Sequence, residues 1–308
     1  MIDDPFGGGT KKGAPKGLPS GKEEPARTEL VRSGPGTALD RPAPGTGLAA
    51  PRRDKYAMVA QEPRRPLATQ LVQWIVALIF DATGSMGSML GSVQEWMTYI
   101  VAQANARLPG IKINFLVGVW RDYGDGSMVT EFFPVSNDPE TLTRNITSIR
   151  AYGGDGDGAE AMEAALEIVY ANSEVKLVCA AGDEPSHNRA ELEMDRQGGR
   201  KTAIELAEAE GKRGTKDRKT TFTCGVPGHH NEGRMRTEFA RIAELTGGQF
   251  AMLDGADGKT FADIVVMAII AKFSKQPRVD LARYQVDNPR MSLAAQGVAS
   301  RLLLEAKK

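Results

Sequence analysis

The sequence predicts a doubly wound α/β fold with a mostly parallel sheet and one antiparallel edge strand. Three observations carry this: an unbroken apolar run at 74–80, a switch to helical spacing directly after it, and repetition of that alternation to about residue 273. The run Trp74-Ile75-Val76-Ala77-Leu78-Ile79-Phe80 contains no polar residue, as expected of a central parallel strand covered on both faces. Val93, Trp96, Met97, Ile100, Val101 and Ala104 then recur at three- and four-residue spacing, which puts them on one helix face against that strand.

A second strand is expected at 111–120. Turn chemistry at Tyr123-Gly124-Asp125-Gly126 follows, then a third run at 128–135, so the pair reads as a hairpin with its last strand antiparallel at or near an edge. Asp138 before Pro139 and Glu140 marks a helix start, because the carboxylate can cap while proline occupies the first helical position. Leu142, Ile146 and Ile149 should face inward from it. Beyond the glycine-rich loop 153–158, Met162, Ala165, Leu166 and Val169 define another helix. The alternation continues with strand 175–181, helix 200–212, strand 220–226, helix 234–246, strand 249–253 and helix 259–273.

The chain divides into three parts: 1–66, 70–275 and 276–308. Residues 1–66 hold ten of the 17 prolines and ten glycines, with few large apolar side chains. Such a segment cannot bury enough surface to offset its ordering entropy, so it is expected to be a disordered arm. The last segment, with Leu293, Val298, Leu302 and Leu303, is a C-terminal extension expected to carry a helix that packs back or meets a partner.

Lys plus Arg and Asp plus Glu stand at 39 each, so no net field draws the chain to nucleic acid or to an anionic membrane. The densest basic stretch, 212–219, has no aromatic residue among its cations and reads as a solvated turn. The opening Met1-Ile2-Asp3-Asp4-Pro5 lacks the apolar core of a secretion signal, and 74–80 is too short to span a bilayer. Cys179 and Cys224 lie in strand-like runs with no zinc or disulfide spacing. These features together lead us to expect a cytoplasmic setting.

In an open α/β sheet the working crevice lies beyond the carboxyl ends of the strands. Three loops there are rich in oxygen ligands: Asp81-Ala82-Thr83-Gly84-Ser85-Met86, Asp155-Gly156-Asp157 and Gly182-Asp183-Glu184. Asp81, Thr83 and Ser85 offer a carboxylate and two hydroxyls at alternate positions, and Asp157 and Asp183 would bring further carboxylates from other turns. Such hard donors suit Mg2+, Mn2+ or Ca2+ and match zinc poorly. With neutral hydroxyls among its ligands, the ion keeps enough electrophilicity to accept a carboxylate from outside. Asp81 alone fits a helix cap equally well, and Asp155 and Asp157 alone fit a solvated turn.

The run Phe80-Asp81-Ala82-Thr83-Gly84-Ser85-Met86 resembles the metal-dependent adhesion motif, D-x-S/T-x-S, of von Willebrand factor type A domains. The resemblance covers about 70–275. It includes Arg121-Asp122-Tyr123-Gly124-Asp125, the loop Gly153-Gly154-Asp155-Gly156-Asp157-Gly158 and Asp183, and is nearest to the intracellular bacterial branch often found beside kinases. It implies a Rossmann-like fold, a Mg2+ site with Asp81, Thr83 and Ser85 in the first ligand loop, and Asp183 as the distal aspartate. The family usually has a threonine before its third helix, where this chain offers Asp157, or Asp155 in its place. An acid there weakens the ion as a receptor for an external carboxylate. The implied role is a protein-interaction module, not an enzyme, meeting a kinase, phosphatase or AAA-type ATPase in a signalling or stress-response assembly.

Two other function classes fit the same residues. A metal-dependent hydrolase would need a nucleophile and a general base, and an aspartyl phosphatase would want a second acid where Thr83 stands. A scaffold with a purely structural or degenerate metal would respond to chelation in stability alone. No phosphate-cradling glycine pattern is present. His187, His229 and His230 are expected to be solvated loop histidines near the site end of the sheet.

Overall fold

A computed structural model of the protein describes residues 72–125, 128–154, 158–228 and 230–306. The expected arm at 1–66 lies outside the described residues, as do Asp155, Asp157 and His229.

Strands β1 (Val72–Asp81), β2 (Ile111–Trp120), β3 (Thr130–Phe132), β4 (Val175–Gly182), β5 (Thr220–Gly225) and β6 (Phe250–Met252) form one sheet in the order β3-β2-β1-β4-β5-β6. Every neighbouring pair is parallel except β2 with β3, so the antiparallel edge strand stands where the hairpin signal puts it. That strand is three residues long where eight were expected: the ladder with β2 ends at Phe132, and beyond it an isolated bridge joins Ser136 to Phe115. The described helices are α1 (Gly87–Arg107), α2 (Pro139–Ser148), α3 (Met162–Ala171), α4 (Arg189–Met194), α5 (Ala203–Gly211), α6 (Glu232–Thr246), α7 (Gly258–Phe273), α8 (Pro277–Asp287) and α9 (Leu293–Glu305). None is long and apolar enough to cross a membrane.

The period of two along β1 sorts the core. Val76, Leu78 and Phe80 pack with α1, α2 and α7 on one face, while Ile75, Ala77 and Ile79 pack with α3, α5 and α6 on the other. Cys179 and Cys224 are buried free thiols in β4 and β5. Asp138 caps α2 as expected: Thr141 N donates to its Oδ2 at 2.9 Å and Pro139 opens the helix. The short helix α4 was not anticipated. Its capping box, Asn188 with Glu191, is present in the sequence, but with Leu192 as its one buried residue it has no apolar period to read.

The C-terminal segment belongs to the same core. Helix α7 is buried without interruption from Thr260 to Ile270, and a helix apolar on all sides must be covered on all sides. Leu281 and Tyr284 of α8 with Ala295, Val298, Ala299 and Leu302 of α9 supply that cover. Buried polar groups fix α8 in place. Tyr284 Oη donates to Asp263 Oδ1 at 2.7 Å and lies 2.8 Å from Tyr99 Oη of α1, while Lys259 Nζ reaches Asp263 Oδ2 at 2.5 Å. At the far edge, Arg301 Nη2 donates to Phe250 O at 2.9 Å and occupies the open side of β6.

Candidate metal centre

The chain crosses from one half of the sheet to the other at β1. Its first successor, β2, lies on one side and β4 on the other, which makes the gap between the carboxyl ends of β1 and β4 a topological switch point. Asp81 ends β1 and Asp183 follows β4, and both side chains are fully buried. Gly182 permits the approach: a Cβ there would lie 3.4 Å from Asp81 Cβ and 2.9 Å from Trp120 Cζ2.

The first loop is folded by its own side chains. Thr83 donates its N–H at 2.8 Å and its Oγ1–H at 2.7 Å to the same oxygen, Asp81 Oδ1, and Thr83 Oγ1 lies 3.3 Å from Ser85 Oγ. The second carboxylate oxygen, Asp81 Oδ2, is buried with no hydrogen-bond partner among the described residues. No side chain caps either the 3-10 turn Gly84–Met86 or α1. Asp81 is therefore not the helix cap that its position also allowed. Burial foremost, and then the neighbouring charge of Asp183, hold the Asp81 carboxyl well above the ordinary carboxylate range, against the pull of the two Thr83 hydrogen bonds.

The glycine-rich loop after α2 is tied to the first loop from both sides. Tyr152 N donates to Ala82 O at 3.0 Å, Gly84 N donates to Gly153 O at 3.4 Å, and a Cβ on Gly154 would lie 3.4 Å from Thr83 Cβ. Gly153, Gly154 and Gly158 all have positive φ, a conformation that glycine adopts without strain. Arg121 anchors this loop. Buried at the end of β2, it donates from Nη1 to Met128 O and from Nη2 to Arg150 O, both at 3.1 Å, with its guanidinium 4.6 Å from the Tyr152 ring centroid.

The structure thus brings together Asp81, Thr83, Ser85 and Asp183, and brings the stem of the Asp155–Asp157 loop against them. Among the described residues no group of three or more His, Cys, Asp or Glu side chains forms a ligand shell by itself. A shell here needs the hydroxyls. The donors present fit a hard cation: every one is oxygen, and the buried Asp81 Oδ2 has no hydrogen-bond partner among the described residues.

Sequence reasoning missed a buried polar cluster beside the site. His187 is not a solvated loop histidine; it is 1% exposed. Its Nδ1 lies 3.1 Å from Glu163 Oε1, its Nε2 lies 3.3 Å from Asp122 Oδ1 and 3.4 Å from Asp195 Oδ2, and the Tyr123 ring packs on it. Burial works against its charge, but the hydrogen bonds and charges of Asp122 and Glu163 outweigh that and push its pKa up to about 10. Nearby, Ser186 donates its N–H to Glu238 Oε1 at 3.1 Å, and burial pushes Glu238 up to about 7 despite that bond. Arg234 joins Ser186 O and Glu191 at 2.5–2.6 Å. The one signal available was Glu160-Ala161-Met162-Glu163, two acids among the small and apolar residues that lead into α3. His230 is exposed as expected.

No family model and no curated protein matches the chain. Among solved structures it is similar to the pilus adhesin SpaC from Lactobacillus rhamnosus GG in its open conformation, with a TM-score of 0.44 and 13% identity over 64% of this chain and 30% of the adhesin. A second structure of that adhesin gives a TM-score of 0.42 and 12% identity over 64% and 31%. The chain spans about a third of the adhesin's length.

Proposed function

We propose that the chain is a protein-interaction module of the von Willebrand factor type A kind, whose binding face is organised around a divalent cation. Mg2+ is the ion of choice, with Mn2+ and Ca2+ as the other hard cations the donors suit. Asp81, Thr83 and Ser85 would hold it from the first loop, Asp183 from the end of β4, and Asp157, or Asp155, from the glycine-rich loop. The observation that carries the reading is the pair of buried carboxylates, Asp81 and Asp183, at the switch point of the sheet. Two such acids repel each other, and a cation between their loops removes the repulsion.

When bound, the ion would supply an electrophilic centre open to one more oxygen ligand. The chain's own residues then do the positioning: Thr83 orients Asp81, and Arg121 steadies the approach to the glycine-rich loop. The partner expected is a protein presenting an aspartate or glutamate side chain, and the resemblance points to a kinase, phosphatase or AAA-type ATPase in a bacterial cytoplasm. No catalytic residue is assigned, so the role proposed is binding, not turnover.

The test has two stages. Calorimetry should register Mg2+ uptake by the wild type and none by Asp81→Ala, and a partner captured by the wild type should be lost in that variant and in EDTA. A folded wild type that takes up no divalent ion ends the proposal. A partner retained by both proteins, with Mg2+ and with EDTA, moves the contact away from the rim.

A further inference from the structure

At the amino-terminal end of the sheet, away from the rim, a cavity of about 240 Å3 opens between β5, α7, α8 and α9. Its walls are mainly apolar: Phe222, Ala268, Ala271, Leu281 and Leu302. One side differs. Lys272 lines the cavity with its Nζ donating to Thr220 Oγ1 at 2.9 Å and to Arg218 O at 3.2 Å, which leaves the third ammonium hydrogen uncommitted. The Arg218 guanidinium lies over Gly247, another lining residue; a Cβ at Gly247 would stand 2.8 Å from Arg218 Nη2. Arg218 Nε is buried without a hydrogen-bond partner among the described residues.

The local acid is already engaged. Glu210 accepts the Lys219 N–H at 2.7 Å and pairs with Arg213 at 3.1 Å. No ion pair to Arg218 or Lys272 is formed among the described residues. Burial first, then the charges of Arg218 and Lys176, depress the Lys272 pKa, which is the condition an incoming anion would relieve. Glu305 stands exposed at the outer mouth, on α9, where solvent screens it.

We propose that this cavity binds a linear aliphatic monocarboxylate, its chain lying between α7, α8 and α9 and its carboxylate meeting Lys272 and Arg218. At roughly 30 Å3 per water-sized group, the 240 Å3 cavity takes a chain on the order of eight carbons. An aliphatic ligand burying its tail would gain from the hydrophobic effect, and the two cations give it polarity and direction. None of the rim residues lines this cavity, so its occupancy is independent of the cation proposed there.

The probe is sodium octanoate, titrated into the full chain by calorimetry, with 1-octanol as the uncharged control of equal length. Octanoate should bind with at least tenfold higher affinity than octanol. Lys272→Met, which keeps the stem and deletes the charge, should weaken octanoate at least tenfold and leave octanol unchanged. Ala271→Leu should block both by filling the cavity. Arg218→Gln serves as the second charge variant if Lys272→Met does not fold, with the same loss expected. Equal binding of octanoate and octanol, binding that survives Ala271→Leu, or no octanoate uptake by the folded wild type would each overturn the proposal.

Discussion

Asp81→Asn separates the role of Asp81 in folding from its role in metal binding, because the two predict opposite signs. Without metal, the wild type buries a carboxylate beside Asp183. Asparagine keeps the carbonyl oxygen that accepts from Thr83 N and Oγ1, and it replaces the partnerless Oδ2 with an N–H2 donor facing an acid. Replacing buried charge by a neutral group of the same shape stabilises by about 1–4 kcal/mol where the charge lacks compensation. A value of about 2 kcal/mol corresponds to a rise of about 4–8 °C in Tm for a domain of this size. In EDTA at pH 7 the variant should therefore melt above the wild type. Because the Asp81 pKa is raised from 3.8, the penalty it imposes is absent below that value and grows as pH rises through the folded pKa. The variant's advantage should fade as the solution is acidified. Mg2+ at a hundredfold excess over Kd then adds about 2.7 kcal/mol to the wild type and nothing to the variant. Differential scanning calorimetry in the two buffers reads all of this. A variant less stable than wild type in EDTA, with neither protein responding to Mg2+, refutes the reasoning.

Other perturbations test the parts separately. His187→Leu strips the cation from three acids and should cost about 3–5 kcal/mol in urea unfolding; in the wild type the imidazolium's contribution is complete below pH 6.5 and is lost as pH climbs through about 10. Gly248→Ala would set a Cβ 2.0 Å from Thr221 O, a backbone atom that cannot turn aside. A loss of about 1–3 kcal/mol or more is expected in thermal melts followed by circular dichroism. Tyr284→Phe removes the donor to the Asp263 carboxylate and should cost about 1.5–3 kcal/mol, with hydrogen exchange accelerating in α8 ahead of the sheet.

Most of the fold is legible in the sequence because strand and helix differ in period and length. The run 74–80 becomes the buried centre of β1, and the faces read from Val93 to Ala104 and from Leu142 to Ile149 are the faces that pack. The readings fall short where the physical signal is not local. Helix α8 has an apolar face of only Leu281 and Tyr284, so its place depends on Tyr99 and Asp263, each in a different helix. A hint was available in α7 itself. A helix as apolar as Phe261-Ala262-Asp263-Ile264-Val265-Val266-Met267-Ala268-Ile269-Ile270 cannot leave a side to solvent, so something downstream had to cover it.

The candidate site divides along the same line. The spacing D-x-T-x-S and its position after an apolar strand are local facts, and they place Asp81, Thr83 and Ser85 together. That Asp183 stands beside Asp81 follows from strand order, which a string of residues does not state; it follows only once β4 is known to lie next to β1. His187 shows the limit of composition. A histidine in a polar loop is solvated unless other chains of contact enclose it, and here Asp122, Glu163 and Asp195 arrive from three separate segments to do so. The same topology that juxtaposes Asp81 and Asp183 draws this cluster under the rim, since Ser186 bridges to Glu160 and Ala161 N donates to Arg121 O. A charged imidazole held there offsets part of the acid excess without touching the proposed ligands. The Mg2+ dependence of stability should therefore steepen in His187→Gln, because the cation then becomes the nearest compensation left.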